Sequence, residues 1–202
     1  MTNPVKLVPI VMSVLFAFVA TLLTTSPAMA QNEEPALPEV RFVTTEGSFV
    51  LQLRPDVAPK TVENFLAYVN SGFYDGTIFH RVIPGFMVQA GGFDENLGRK
   101  QTRAPIVNEA TSTLPNLRGT IAMARTNAPD SATSQFFINV ANNDFLNAGV
   151  RGPGYAVFGK VTEGMGVIDR IAGVQTGYQR GMADVPVSPV IIESAEEITK
   201  DN

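Results

Sequence analysis

Few side chains in this sequence could do chemistry, and their scarcity narrows the field. The chain has one histidine, His80, and no cysteine. A Ser-His-Asp triad would have to use His80, but no Gly-x-Ser-x-Gly elbow is present. A catalytic zinc commonly takes more imidazole than one residue supplies. Without cysteine there is no thiolate nucleophile, Cys-zinc site or disulfide. Gly91-Gly92 lacks the Gly-x-Gly-x-x-Gly spacing of a dinucleotide loop, and Gly152-x-Gly154 reads as turn chemistry before a strand. The carboxylates are dispersed, with no pair in an apolar setting that would poise it for acid–base work. An enzyme built from this inventory works without nucleophile, metal or cofactor. Rotation about a peptide bond is one of the few reactions that permits this.

One cation stands out against that background. Arg81 sits inside Ile78-Phe79-His80-Arg81-Val82-Ile83, a run of β-branched and aromatic residues that reads as a buried strand. Side chains alternate along a strand, so Phe79, Arg81 and Ile83 are expected on one face, with His80 pointing away, partly buried and bonded to backbone. An unpaired cation among apolar neighbours costs several kcal/mol or more. It is kept when it is paired, when it reaches water, or when it faces a ligand. Pro84-Gly85 marks a turn, Phe86-Met87-Val88-Gln89 resumes the apolar run, and Gln89 could share a site with Arg81. Together these residues suggest one wall of a mostly apolar pocket with a few polar groups.

The elements that must position this wall can be read in order. Residues 1–30 look like a cleavable secretory signal. Lys6 precedes the apolar run Leu7 to Leu23, and Ala28-Met29-Ala30 supplies the cleavage site, leaving Gln31 as the new amino terminus. This implies export, the periplasm being the expected destination. Residues 31–39 read as a polar, Pro-bearing leader and 40–202 as one domain. Strands are expected at 40–45 and 48–53, joined by a turn at Glu46-Gly47. A helix is expected at 60–71, with Val62, Phe65, Leu66 and Val69 forming its apolar stripe. Residues 93–118 read as a loop. Further strands are expected at 120–125, 135–140, 155–161 and 187–195, and a short helix at 164–172. Many short strands with Gly/Pro turns indicate a barrel or sandwich.

The full chain carries 15 Lys+Arg and 19 Asp+Glu; loss of Lys6 with the signal leaves 14 against 19, a net charge of −5. A mildly acidic domain without basic clusters argues against nucleic acid and anionic membranes as partners.

Three segments, FHRVIPGFMVQAGG at 79–92, TIAMAR with SQFFINV between 120 and 140, and YAVFGKV at 155–161, closely resemble cyclophilins, the peptidyl-prolyl cis–trans isomerases, and most of all their secreted bacterial branch. The resemblance runs colinearly from about Val40 to Glu197. It implies an all-β-dominated fold, a closed eight-stranded antiparallel barrel capped by two α-helices. It also implies cofactor-independent isomerisation of Xaa-Pro bonds in exported proteins. By the same resemblance Arg81 is the catalytic arginine and Gln89 its polar partner. Phe86, Met87, Phe137 and Leu146 hold the proline ring, and Gln135 is the groove glutamine. Ala124 and Arg125 lie on the strand whose backbone pairs with the peptide. Two positions depart from the form common in eukaryotic members: Phe145 replaces a tryptophan and Tyr155 a groove histidine. The indole N–H that Phe145 lacks is a donor to the family's cyclic-peptide inhibitor, so weak cyclosporin binding is expected. The expected partners are proline-containing segments of folding proteins, the expected state a monomer, with no membrane association after signal cleavage. A module that holds such segments without turning them over, or an inactive scaffold, are the competing readings.

Overall fold

The structure, a computed structural model, describes residues 36–198 and the first two residues. The rest of the expected signal and most of the leader lie outside the described residues. The framework is an eight-stranded antiparallel sheet built from β1 (Glu39–Thr44), β2 (Gly47–Leu53), β3 (Arg81–Ile83), β4 (Met87–Ala90), β5 (Thr120–Met123), β6 (Phe136–Asn139), β7 (Val157–Glu163) and β10 (Ile192–Ile198). Their lateral order is β10-β1-β2-β7-β5-β6-β4-β3. A separate hairpin, β8 (Thr176–Gln179) with β9 (Met182–Pro186), precedes the last strand. The two helices are α1 (Pro59–Asn70) and α2 (Met165–Ala172).

The sequence places most of these elements within two residues, but it misses the β8–β9 hairpin and starts the last strand too early. Residues 176–186 lack the β-branched alternation that marks a strand. The apolar Val187 and Val190 drew the expected last strand forward instead. Val190 does bond across the sheet, accepting the Phe79 amide at 2.9 Å, but ahead of β10.

A fully closed barrel is also a slight overstatement. β3 and β10 end the sheet without pairing as a ladder. The seam is stitched instead by residues ahead of β3: the Gly76 amide donates to Ile192 O at 2.8 Å, and the Ile192 amide to Thr77 O at 2.7 Å. This stitching corrects the expected facing of residue 79. Phe79 lies outside β3, its amide is spent on Val190, and its ring is fully buried in the main core rather than beside Arg81.

The inner face of the sheet closes over an aromatic core. Phe42 and Phe49, opposite each other on β1 and β2, stack at 5.1 Å between centroids. Phe65 enters from α1 and meets Phe158 at 5.0 Å, Tyr74 at 5.4 Å and Phe136 at 5.7 Å. Helix α1 buries Val62, Phe65 and Val69 as its stripe predicts, and Tyr68 as well. Pro59 is accepted at its start because the first helical amides need no intrahelical partner. Ala58 cannot cap those amides with a side chain, so the loop 93–118 reaches over. Glu109 accepts from the Lys60 amide at 3.1 Å and the Thr61 amide at 2.7 Å. A carboxylate at a helix amino terminus is favoured both as a cap and by the helix dipole.

Candidate active site

The outer face of the same sheet carries a second, smaller apolar cluster of Met87, Ala122, Phe137 and Val157. Register explains how it forms. Arg81 on β3 lies opposite Gln89 on β4, Gln89 opposite Phe137 on β6, Phe137 opposite Ala122 on β5, and Ala122 opposite Val157 on β7. Residues opposed across antiparallel strands share a face, so Arg81 and Gln89 end a row whose other members are apolar. The interleaved residues Val82, Val88, Ile138 and Ile121 turn inward to the main core.

Above this row lies a cavity of about 110 Å³, lined by Arg81, Phe86, Met87, Gln89, Ala124, Arg125, Phe137, Leu146 and Tyr155. These are nine of the eleven residues singled out from sequence. The other two lie alongside. Gln135 accepts a 2.9 Å hydrogen bond at Oε1 from Gln89 Nε2 and lines a neighbouring cavity with Gln89, Ala124 and Arg125. Phe145 stacks on Phe86 at 5.6 Å, stands 38% exposed, and lines a third cavity with Arg125, Leu146 and Tyr155. Ala124 and Arg125 lie just beyond the end of β5, not within it as the sequence suggested, though the Ala124 amide still pairs with Gln135 O at 2.9 Å. Tyr155 likewise precedes β7; its ring meets Phe137 edge-on at 5.7 Å and carries the Arg125 guanidinium at 4.4 Å.

Local backbone sets these positions. Pro84 and Gly85 form the central pair of a turn in which the Phe86 amide donates to Ile83 O at 3.1 Å, and Gly85 has φ 70°. That left-handed conformation suits glycine at the third turn position. Gly92 is held by crowding instead: a Cβ there would sit 2.6 Å from the Gln135 side chain.

The sequence reading did not find what holds the rim. A buried amide network runs behind it. Asn143 Nδ2 donates to Phe86 O at 2.9 Å and to Asn139 Oδ1 at 2.7 Å, and Asn139 Nδ2 to Thr120 Oγ1 at 2.9 Å. Asn147 Oδ1 accepts from the Asn116 amide at 2.7 Å, and the Tyr155 amide donates to Leu146 O at 3.0 Å. The turn Asp144–Leu146 is thereby fastened to β6 and to Phe86. The run NVANNDFLN, unusually rich in asparagine, was the available signal. Asp184 on β9 was missed as well; its Oδ2 lies 3.8 Å from Arg81 Nε, with both side chains close to half exposed.

His80 lies deeper than expected, only 4% exposed and packed on Phe93 at 4.6 Å. Its Nδ1 has no hydrogen-bond partner among the described residues. Burial pushes the imidazole down to about 4, against the opposing influence of the Ile78 backbone and the Gln135 side chain. At neutral pH it is an uncharged ring behind the site.

Comparison with known proteins accords with this geometry. Residues 39–197 match the family model described as cyclophilin type peptidyl-prolyl cis-trans isomerase/CLD. The peptidyl-prolyl cis-trans isomerase cyp18 of Streptomyces antibioticus is 61% identical over 160 residues, which cover 78% of this chain and 96% of that protein. Peptidyl-prolyl cis-trans isomerase A of Dickeya dadantii is 54% identical over 182 residues, covering 90% and 94%. Among solved structures, a cyclophilin type isomerase of Cryptosporidium parvum aligns with a TM-score of 0.68 at 27% identity, over 82% of this chain and 99% of that one. With a family model spanning almost all of the described residues, and relatives matched along nearly their whole length, the chain belongs to the cyclophilin-type peptidyl-prolyl cis–trans isomerases.

Proposed function

We propose that this protein isomerises Xaa-Pro bonds in the groove on the sheet's outer face, with Arg81 as the residue that lowers the barrier. Isomerase activity itself follows from family membership; what is inferred is the role of each residue. The observation that carries the reading is the row in which Arg81 and Gln89 adjoin the apolar floor formed by Met87 and Phe137.

The chemistry needs no more than this. Amide resonance sets a barrier of about 18–20 kcal/mol. In the twisted transition state resonance is lost and the proline nitrogen regains a lone pair. A guanidinium aimed at that nitrogen, or at the carbonyl oxygen, stabilises the twisted form more than either planar one, which is the condition for catalysis. The apolar floor grips the proline ring and excludes water, strengthening the cation's effect. Gln89 occupies the neighbouring register position and is itself held by Gln135. The Ala124–Arg125 backbone is offered as the edge against which an extended peptide lies.

We further propose that the clients are proteins folding after export. Lys6, the apolar run that follows it and Ala28-Met29-Ala30 support this, and amino-terminal sequencing of the protein recovered from the periplasm should begin at Gln31. The activity is tested by NMR exchange spectroscopy on a short Ala-Pro peptide. Fast exchange with the mature protein is expected. Binding without accelerated exchange would replace the enzyme reading with that of a holding module.

A further inference from the structure

The groove's electrostatics differ from those of the chain as a whole. The protein is net acidic, at −4 for the full sequence, yet the three cavities that share Arg125 are lined by four arginines and no carboxylate. Arg81 lines the central cavity, Arg99 the one beside Gln135, and Arg151 the one beside Phe145.

Three of these guanidiniums rest on aromatic faces. Arg125 lies over Tyr155 at 4.4 Å, Arg151 over Phe145 at 5.2 Å and Arg99 over Phe93 at 5.4 Å. Stacking fixes a cation in place without neutralising it. Among the described residues none of the three has a carboxylate within ion-pairing distance; Arg81 alone has one, Asp184. Arg125 spends three N–H groups on the Gly154 and Thr126 carbonyls and keeps its full charge. Asp184 stands beside Arg81 but, like the other nearby acids, lines none of the three cavities. Asp94 accepts from the Asn96 and Gly98 amides, Asp130 accepts from the Asn108 amide, and Asp144 is not among the lining residues.

From this arrangement we infer that the groove selects proline segments flanked by acidic residues. Arg99 lines the cavity that joins the central one through Gln89 and Ala124, and Arg151 the cavity that joins it through Leu146 and Tyr155, so the two would meet different flanks of the proline. The inference rests on the isomerase reading and adds a substrate class to it. An acidic flank would be drawn in by the cations of Arg99, Arg125 and Arg151, none of them ion-paired among the described residues, whereas a basic flank would meet a like-charged rim whose one adjoining ion-paired carboxylate is Asp184, beside Arg81.

The test uses three peptides sharing a central Ala-Pro, with the second and third residues on each side all Ala, all Glu or all Lys. Isomerisation is followed by NMR exchange at two salt concentrations. At about 0.01 M, where charges are screened over about 30 Å, kcat/KM for the Glu peptide should exceed that for the Lys peptide about tenfold. At about 1 M, where screening acts within about 3 Å, the gap should largely close. Replacing both Arg99→Gln and Arg151→Gln should narrow the low-salt gap at least about threefold, judged as a ratio to the Ala peptide so that any general loss cancels. Equal Glu and Lys rates, a gap indifferent to salt, or a gap unchanged in the double variant overturns the inference while leaving the isomerase intact. An untouched Ala peptide would overturn both.

Discussion

Replacing Arg81 by alanine separates catalysis from stability, because the structure assigns the side chain very different weights in the two. Its Nε lies 3.8 Å from Asp184 Oδ2, and the side chain is 45% exposed. An exposed ion pair of this kind is worth about 0–1 kcal/mol, so the melting temperature of a domain this size should fall by no more than about 4 °C. As the cation facing the twisted amide, the same side chain should carry about 3–4 kcal/mol of transition-state stabilisation. Its loss then means a drop in kcat/KM of about 10²–10³-fold. Exchange spectroscopy on an Ala-Pro peptide reads the rate against an uncatalysed background of about 10–100 s, and a thermal melt of the same sample reads the stability. Arg81→Lys should fall between, since an ammonium keeps the charge but not the planar fork of donors. Two results would refute the reasoning. Activity within about threefold of the parent in Arg81→Ala would remove the cation from the mechanism. A collapse of the melting temperature by well over ten degrees would make Arg81 a structural residue, contradicting the exposed geometry of its pair.

Other perturbations read other parts of the molecule. His80 is held near 4 in the folded state against about 6.5 unfolded, so the unfolded chain binds more protons between those values and stability rises with pH across that window. About 3 kcal/mol should therefore be lost as pH falls from about 7 to about 4, and in urea titrations His80→Gln should flatten that slope. Asn143→Ala strips one of two donors from Phe86 O, which keeps the Val140 amide at 3.0 Å, and removes the donor to Asn139 Oδ1. It should cost about 1–3 kcal/mol in urea unfolding and raise KM for the peptide more than it lowers kcat. Phe145→Trp places an indole donor at the exposed rim position and should tighten cyclosporin inhibition about two- to tenfold, the worth of one net hydrogen bond of about 0.5–1.5 kcal/mol; an unchanged inhibition curve would show that the donor is not what is missing.

How far the sequence could disclose the site depends on the range of the interactions involved. The floor was legible because its residues are neighbours in short strands, where alternation fixes facing: Met87 and Gln89 are two apart on β4 and share the outer face, as the period requires. The same rule failed at Phe79, two residues before Arg81. The chain leaves the strand between them, because closure of the sheet takes the Phe79 amide for Val190. Alternation holds only while the ladder does, and where the ladder stops is decided by a partner more than a hundred residues away.

The rim was less legible for a related reason. Asp184 reaches Arg81 from a hairpin that lacks β-branched alternation, and it does so with φ 61°, a left-handed conformation that aspartate adopts more readily than most residues but still seldom. Its approach to Arg81 depends on the contact of β9 with β3, elements about a hundred residues apart in the chain, which no local pattern announces. The asparagine network is different, since each side chain in it joins segments far apart in the chain: Asn116 from the long loop, Asn139 from β6, and Asn143 and Asn147 from the turn that follows. Amides suit this task because each offers two donors and an acceptor without bringing in charge. A buried network of that kind specifies one arrangement when every member is satisfied and penalises departures from it. The apolar floor alone would tolerate small shifts of Phe86 and Leu146, whereas the network ties them to β6, the strand that carries Phe137. The rim residues are thus held by hydrogen bonds from side chains that do not line the cavity, which is why residues chosen for their chemistry disclosed what lines the groove but not what fastens it.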